Sequence, residues 1–383
     1  MPLALADHHR EFRSSMRRMA RERFVDGYLE RSLQDEYAFD TYRELGKLGL
    51  HGLSVPTALG GDGADAVSLG IVCEELGWAD QGVASQFAVA ALAHSYLAQR
   101  AQTAVAERWL PGLLSGELLC CVALTEPEVG SDAANISTRA ERVEGGWRIT
   151  GEKASITASH VADLAIVMAK TDPSAGARGV SAFLVDLDDA SVARQVFRDP
   201  GLRSVGRGSL NFDGTFVPDD HLLGEEGRGF HNVMELFDLS RSMIGTLVTG
   251  GAQRAIDMAA EYVTQREAFG QPISRNQGVS FVIAEHTTLI DLVRTYSYHS
   301  LSMIDAGERN TLQAASIKWH APRAALDAIR ECVALHGNVG WSDELPLQAL
   351  FRDVSAYLIA DGTAQIQKLL VARHVLGREA VDG

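Results

Sequence analysis

The chain has 383 residues, 46% of them apolar, and a formal net charge of −15. That length suits two or three domains packed as a unit, and no homopolymer or Pro/Ser-rich tract interrupts it, so folded structure is expected throughout. The acidic balance excludes nucleic acid and anionic membrane as general partners, since both need a positive field; an anionic ligand would require a local cluster of Arg side chains and backbone N–H groups.

The first segment carries Arg10, Arg13, Arg17, Arg18, Arg21 and Arg23 interleaved with Asp7, Glu11 and Glu22, and no apolar signal core follows. It reads as the solvated face of a first helix rather than a transit peptide. No uninterrupted apolar run, 118–124 among them, exceeds seven residues, far short of the ~20 that span a bilayer, so no membrane insertion is expected. Cys73, Cys120, Cys121 and Cys332 show neither CxxC nor paired-His spacing. Buried free thiols in a cytoplasmic protein are expected.

Up to about residue 118 the pattern is helical. Apolar residues recur at three and four in Tyr42, Leu45, Leu48 and in Leu69, Val72, Leu76, with breaks at Val55-Pro56 and 60–63. From 119 to 225 short β-branched runs (164–168, 180–185, 210–212) alternate with turn clusters at 143–146 and 172–176. That texture predicts an antiparallel sheet or small barrel. From 226 to 383 long helical stretches return, with Leu289, Val293 and Tyr296 on one face, and short loops imply an antiparallel bundle. No GxGxxG joins a strand to a helix, so a nicotinamide-binding unit has no support. The loop 224–229 is a turn, or a lead into a helix N-terminus that receives an anion.

Six segments carry candidate chemistry. Residues 124–132 (LTEPEVGSD) form a strand end and a Pro-bounded loop, either a plain turn or a cradle of hydroxyls and N–H groups for a planar heterocycle or phosphate. The strand 149–157 (ITGEKASIT) places hydroxyls at alternate positions. Asp238-Leu239-Ser240-Arg241 lies early in a long helix, and Gln277 follows seven residues after 266–270 (REAFG). The last two segments are 335–341 (LHGNVGW) and 360–367 (ADGTAQIQ). By itself, Asp361 before Gly362-Thr363 reads as a helix N-cap or turn residue.

Taken in this order, and over essentially the whole chain, these segments resemble the acyl-CoA dehydrogenase family. The resemblance implies an α+β multidomain fold: an N-terminal all-helical domain (1–118), a central antiparallel β-barrel domain (119–225) and a C-terminal four-helix bundle (226–383). It implies a homotetramer or dimer that binds FAD between the β-domain and the bundle. The expected reaction is α,β-dehydrogenation of an acyl thioester on CoA or a carrier protein, with an electron-transfer flavoprotein as a candidate acceptor.

Position by position, the resemblance places Leu124 and Thr125 against the isoalloxazine, Ser131 near flavin and pantetheine, and Thr157 near flavin N5. Arg266 and Phe269 would reach the FAD of a neighbouring subunit, and Gln277 would also contact the cofactor. Gly337 and Asn338 would lie near the pyrophosphate, and Thr363 and Gln365 would hold the adenosine half. Asp238 and Arg241 would meet the CoA-like portion, a role suited to a guanidinium, and Gly362 would line the substrate site with Ser131. Asp361 stands at the usual base position, where most members carry Glu. Ser240 occupies the alternative base position and cannot serve as a base. The implied chemistry is α-proton abstraction by Asp361 with loss of the β-hydride to flavin N5.

Several positions depart from the family pattern. Asp for Glu draws the carboxylate back by ~1 Å, enough to cost about a hundredfold in a fixed geometry. An Asp base is associated with the subgroup that oxidises cyclohexanecarboxyl-CoA and cyclohex-1-ene-1-carboxyl-CoA. The stretches 197–199 and 204–210 fit that subgroup as well. No Asp or Glu occurs in 82–92, which favours 1,2- over 1,4-dehydrogenation. Ser155 replaces a Trp or Phe that many members place against the flavin, widening the N5 side, and Ala334 replaces a Gln that touches the neighbouring FAD. The rival on the same fold, nitroalkane oxidase-like chemistry, also uses an Asp base. Asp238 and Arg241 point to a CoA-like ligand, and Lys368 stands where such an oxidase would carry Arg.

Overall fold

The computed structural model describes residues 5–382. Six helices come first: α1 (Asp7–Phe24), α2 (Tyr28–Leu33), α3 (Phe39–Lys47), α4 (Ala66–Ala79), α5 (Gln81–Arg100) and α6 (Thr103–Ser115). The carboxylates of Asp65 and Asp80 cap α4 and α5 by accepting from the first N–H groups. Both helices are buried along almost their whole length, and their apolar residues accordingly lie on every face. The arginines of α1 are not simply solvated. Arg13 and Arg17 bond Glu75 of α4, and Glu74 pairs with Arg13 and with Arg294. Two buried carboxylates need cations, and they draw this face of α1 inward.

The β-domain holds β1 (Cys120–Ala123), β2 (Arg139–Val143), β3 (Gly146–Thr157), β4 (Leu164–Lys170), β5 (Val180–Asp186), β6 (Val192–Phe197) and β7 (Arg207–Pro218). They form one sheet in the order β1-β4-β2-β3-β7-β6, with β5 on β4. The pairing is antiparallel except at β4, which runs parallel to β1 and touches β2 in parallel at Arg139 and Lys170. The hairpin β2–β3 inserts between β1 and β4 in the chain, so those two strands meet in the same direction. β4 and β5 are buried on both faces, as near-continuous apolar strands should be. Ala165, Val167 and Phe183 face the sheet's own core, whereas Ile166, Met168 and Leu184 join the core shared with the helices.

The C-terminal part contains α7 (Gly229–Gln265), the hairpin β8 (Glu267–Ala268) and β9 (Gln271–Pro272), then α8 (Gln277–Asp305) and α9 (Thr311–His336). It ends with α10 (Asn338–Trp341), α11 (Leu347–Ser355), α12 (Ala364–Leu376) and α13 (Arg378–Asp382). Helix α7 crosses α4 at backbone contact: a Cβ on Gly250 would sit 2.1 Å from the Glu74 carbonyl oxygen, and one on Gly77 2.3 Å from that of Leu247. Only glycine permits that approach. The short hairpin interrupts the helices in a way that apolar periodicity did not predict. On α8, Val293 is buried but Leu289, Leu292 and Tyr296 are exposed. The four cysteines are buried and unpaired. No helix among the described residues is long and apolar enough to cross a membrane.

Candidate active site

The segment joining α11 to α12 carries Asp361. Its backbone is left-handed at two successive residues, Asp361 (φ 51°) and Gly362 (φ 96°). A non-glycine residue held there costs on the order of 1–3 kcal/mol, and such strain persists only where the surroundings enforce it. The enforcement is visible. The Asp361 carbonyl accepts from Arg241 Nε at 3.3 Å and from Gln367 Nε2 at 3.2 Å. Lys318 Nζ donates to the Tyr357 carbonyl at 2.8 Å and to that of Gly362 at 3.3 Å. The carboxylate itself is held by Ser240, whose hydroxyl donates to Asp361 Oδ2. Among the described residues no acceptor pairs with the Asp361 N–H, which leaves a donor beside the carboxylate.

Asp238 and Arg241, expected at the CoA-like portion of a ligand, are occupied within the chain. Asp238 Oδ1 bonds Arg241 Nη1 at 3.1 Å, and Thr311 donates to Asp238 Oδ2. Burial raises the Asp238 carboxyl above its usual range, against the Thr311 hydrogen bond and the Arg241 charge that lower it. Arg241 is buried and holds the Asp361 carbonyl through its Nε.

A second cluster lies on the β-domain. Lys153 and Glu126 form a buried ion pair at 2.8 Å, with side chains 0% and 2% exposed. Lys153 also donates to the Leu124 carbonyl at 2.9 Å. Glu126 further accepts from the Ser137 N–H and hydroxyl and from the Thr138 N–H. Burial opposes ionisation of Glu126, but the Lys153 charge and these bonds hold its carboxyl down to about 2. The Ala154 N–H donates to the Thr125 carbonyl at 2.9 Å. Leu124 and Thr125 are thereby joined to the end of β3, which carries Ser155 and Thr157. Ser155 is exposed at φ 61°, inside the register irregularity between Lys153 and Ile156. Ser131 lies exposed in the loop that follows Thr125.

Among the described residues no bond brings the other expected contacts to this cluster. Arg266, Gln277, Gly337 and Asn338 are exposed. Phe269 stands at the β8–β9 turn, fully uncovered at 102% exposure and with φ 53°. Thr363 precedes α12 half-buried and Gln365 is exposed. These residues fit a large planar cofactor with an anionic tail. Hydroxyls and a leucine line the end of β3, and Arg266 offers a guanidinium for phosphate. A strained, uncovered phenylalanine calls for an apolar cover from outside its own chain. Sequence reasoning missed two participants, the Ser240 donor and Lys318. A lysine among the buried Ala314, Ala315, Ile317 and Ala321 of α9 was the available signal for the second.

Comparison with known proteins gives matches along the chain. Sequence models of the N-terminal, middle and C-terminal domains of acyl-CoA dehydrogenase match residues 6–117, 121–215 and 227–376. An acyl-CoA dehydrogenase of Bacillus subtilis is 34% identical over 348 residues, 90% of this chain and 91% of that one. The caffeyl-CoA reductase-Etf complex subunit CarC of Acetobacterium woodii is 30% identical over 94% of this chain and 97% of its own length. The solved structure of butyryl-CoA dehydrogenase from Megasphaera elsdenii superposes with a TM-score of 0.93 at 29% identity, covering 98% and 100% of the two chains.

Proposed function

Because the chain belongs to the acyl-CoA dehydrogenase family, whose members are FAD-dependent oxidoreductases, we propose that its substrate is an alicyclic or α-branched acyl-CoA of the cyclohexanecarboxyl-CoA kind and its base Asp361. One observation carries the reading: a short carboxylate, fixed by Ser240 on a strained and braced backbone, beside an N–H with no acceptor among the described residues. A thioester needs both. The carboxylate takes the α-proton, and the N–H stabilises the charge that develops on the thioester oxygen. When bound, FAD supplies the acceptor for the hydrogen and electron pair that leave the β-carbon.

The chain's own residues provide the rest. Leu124, Thr125, Ser131, Ser155 and Thr157 would hold the flavin face of the site, and Thr363 with Gln365 the adenosine half. Arg266, Phe269, Gln277, Gly337 and Asn338 would act on the cofactor of a second copy. Their exposure, with that of Phe281, Leu289, Leu292 and Tyr296 on α8, supports a homo-oligomer, taken to be a tetramer. Ser155 adds little bulk beside the reacting atoms, and a carboxylate one methylene short favours a substrate whose α-carbon sits close. Both support a ring rather than a straight chain. The name of CarC, with its Etf complex, supports an electron-transfer flavoprotein as the acceptor.

The test is anaerobic titration of the flavin-loaded protein with cyclohexanecarboxyl-CoA, butyryl-CoA and isobutyryl-CoA. Fastest bleaching by the cyclic thioester is expected. If the flavin stays oxidised with that thioester but bleaches with butyryl-CoA, the substrate assignment fails. Asp361→Asn should retain FAD and thioester binding with no bleaching; retained bleaching refutes the base.

A further inference from the structure

A buried ammonium needs partners, and those of Lys318 are all in one place. The residue is 1% exposed, and two of its three donors are met by the Tyr357 carbonyl at 2.8 Å and the Gly362 carbonyl at 3.3 Å. These carbonyls stand at the two ends of the segment that carries Asp361. The charged groups that act on the ammonium are the Asp361 carboxylate, on that segment, and the Arg241 guanidinium, on α7. Burial lowers the Lys318 ammonium to about 8, while the Asp361 charge favours the protonated form. Packing of α9 does not ask for a lysine here, since the surrounding buried positions are Ala314, Ala315, Ile317 and Ala321.

We propose that Lys318 is a positioning residue for the dehydrogenation: it ties the ends of the 357–362 segment together and so fixes where the Asp361 carboxylate points. The proposal rests on the reading of Asp361 as the base. Its physical content is a closure constraint. Asp361 and Gly362 both sit at positive φ, and an L-residue leaves that region when it is free to do so. Arg241 and Gln367 hold the Asp361 carbonyl, whereas among the described residues Lys318 alone bonds both ends of the segment. Without the span the backbone can relax at 361, and the carboxylate moves with it. Lys318 does not touch substrate; it acts through the segment.

The test uses FAD-loaded Lys318→Met and Lys318→Gln beside the parent and Asp361→Asn. Three quantities are read: hydrogen exchange of peptides covering 356–363, binding of an unreactive thioether analogue of the acyl-CoA, and the anaerobic rate of flavin reduction. Lys318→Met should exchange faster in 356–363 and reduce flavin about a hundredfold more slowly, with analogue binding within about threefold, the pattern of a misplaced base. Lys318→Gln keeps N–H donors without the charge and should fall between. If Lys318→Met does not accumulate as folded protein, Lys318→Gln decides alone. Parental exchange and rate overturn the proposal. So does a loss shared equally by FAD content, analogue binding and rate, which marks general damage. An inert Asp361→Asn beside fully active Lys318 variants removes only the positioning role. Reduction by Asp361→Asn removes the base reading and this proposal with it.

Discussion

Replacing Lys153 with methionine should loosen the loop that presents Leu124 and Thr125, and the structure sets the size of the effect. Lys153 and Glu126 are almost fully buried, and Lys153 also supplies the donor for the Leu124 carbonyl. In Lys153→Met, Glu126 keeps its bonds from Ser137 and Thr138 but loses the cation. Breaking a buried pair from one side costs about 3–5 kcal/mol, because a charge is left without compensation. In the parent, the depressed Glu126 carboxyl contributes stability above its ordinary value of 4.5, lost as pH falls toward about 2. At neutral pH the full loss should therefore appear. Differential scanning fluorimetry and a flavin-fluorescence titration of FAD affinity read it out. We expect a clear drop in Tm and FAD binding weaker by about tenfold or more, which takes only ~1.4 kcal/mol of the loss. The double variant Lys153→Met/Glu126→Gln, with no orphaned charge, should recover most of both. If the two single losses simply add in the double variant, the residues are uncoupled and the account of this loop is wrong.

Ser240→Ala removes a hydrogen bond to an ionised group, worth about 1.5–3 kcal/mol. Flavin reduction should slow by roughly tenfold to a hundredfold at unchanged FAD content, and a parental rate would show that the hydroxyl does not aim the base. Asp353 bonds Tyr28 and the Leu202 N–H in complete burial, which raises its carboxyl to about 7. A raised carboxyl favours the fold below its unfolded value and loses that contribution as pH rises through 7. The parent should therefore lose on the order of 2–3 kcal/mol of stability from this group between about pH 5 and 8. Asp353→Asn should flatten that slope, and an identical Tm–pH profile for the two proteins would refute the assignment. Leu292 is 62% exposed on the apolar face of α8, so Leu292→Lys should shift sedimentation toward smaller species. An unchanged sedimentation coefficient would mean that this face is not an interface.

Much of the fold was legible because its signals are local. Periodicity of three and four marked the helices on both sides, and β-branched runs between turn clusters marked the sheet. The β8–β9 hairpin escaped notice because each of its strands is two residues long and too short for any period. The parallel pairing of β1 with β4 escaped for a different reason: strand order depends on which apolar faces meet, and a strand's own residues do not state its neighbour. At the candidate site, the short motifs singled out Asp361, Thr125 and Ser155 as candidates. They did not show that Arg241 and Asp238 bond each other, or that Ser240 turns toward the carboxylate. Those facts depend on α7 passing beside a segment 120 residues later in the chain, and a motif has no access to that distance.

The shorter acid and its bracing are best understood together. Aspartate has one fewer torsion than glutamate, so less freedom must be removed to aim it, but its reach is then set almost wholly by the backbone. Here the backbone is held from three elements, by Arg241 of α7, Lys318 of α9 and Gln367 of α12, while Ser240 of α7 holds the carboxylate itself. A glutamate on the same backbone would extend past Ser240 and lose the bond that fixes the carboxylate. Asp361→Glu should therefore not act as a simple gain of reach. On the proposed reading it exchanges a held base for a longer, freer one, which would penalise a cyclic thioester whose α-carbon must meet the carboxylate at one place. A flexible straight chain can follow the displaced group.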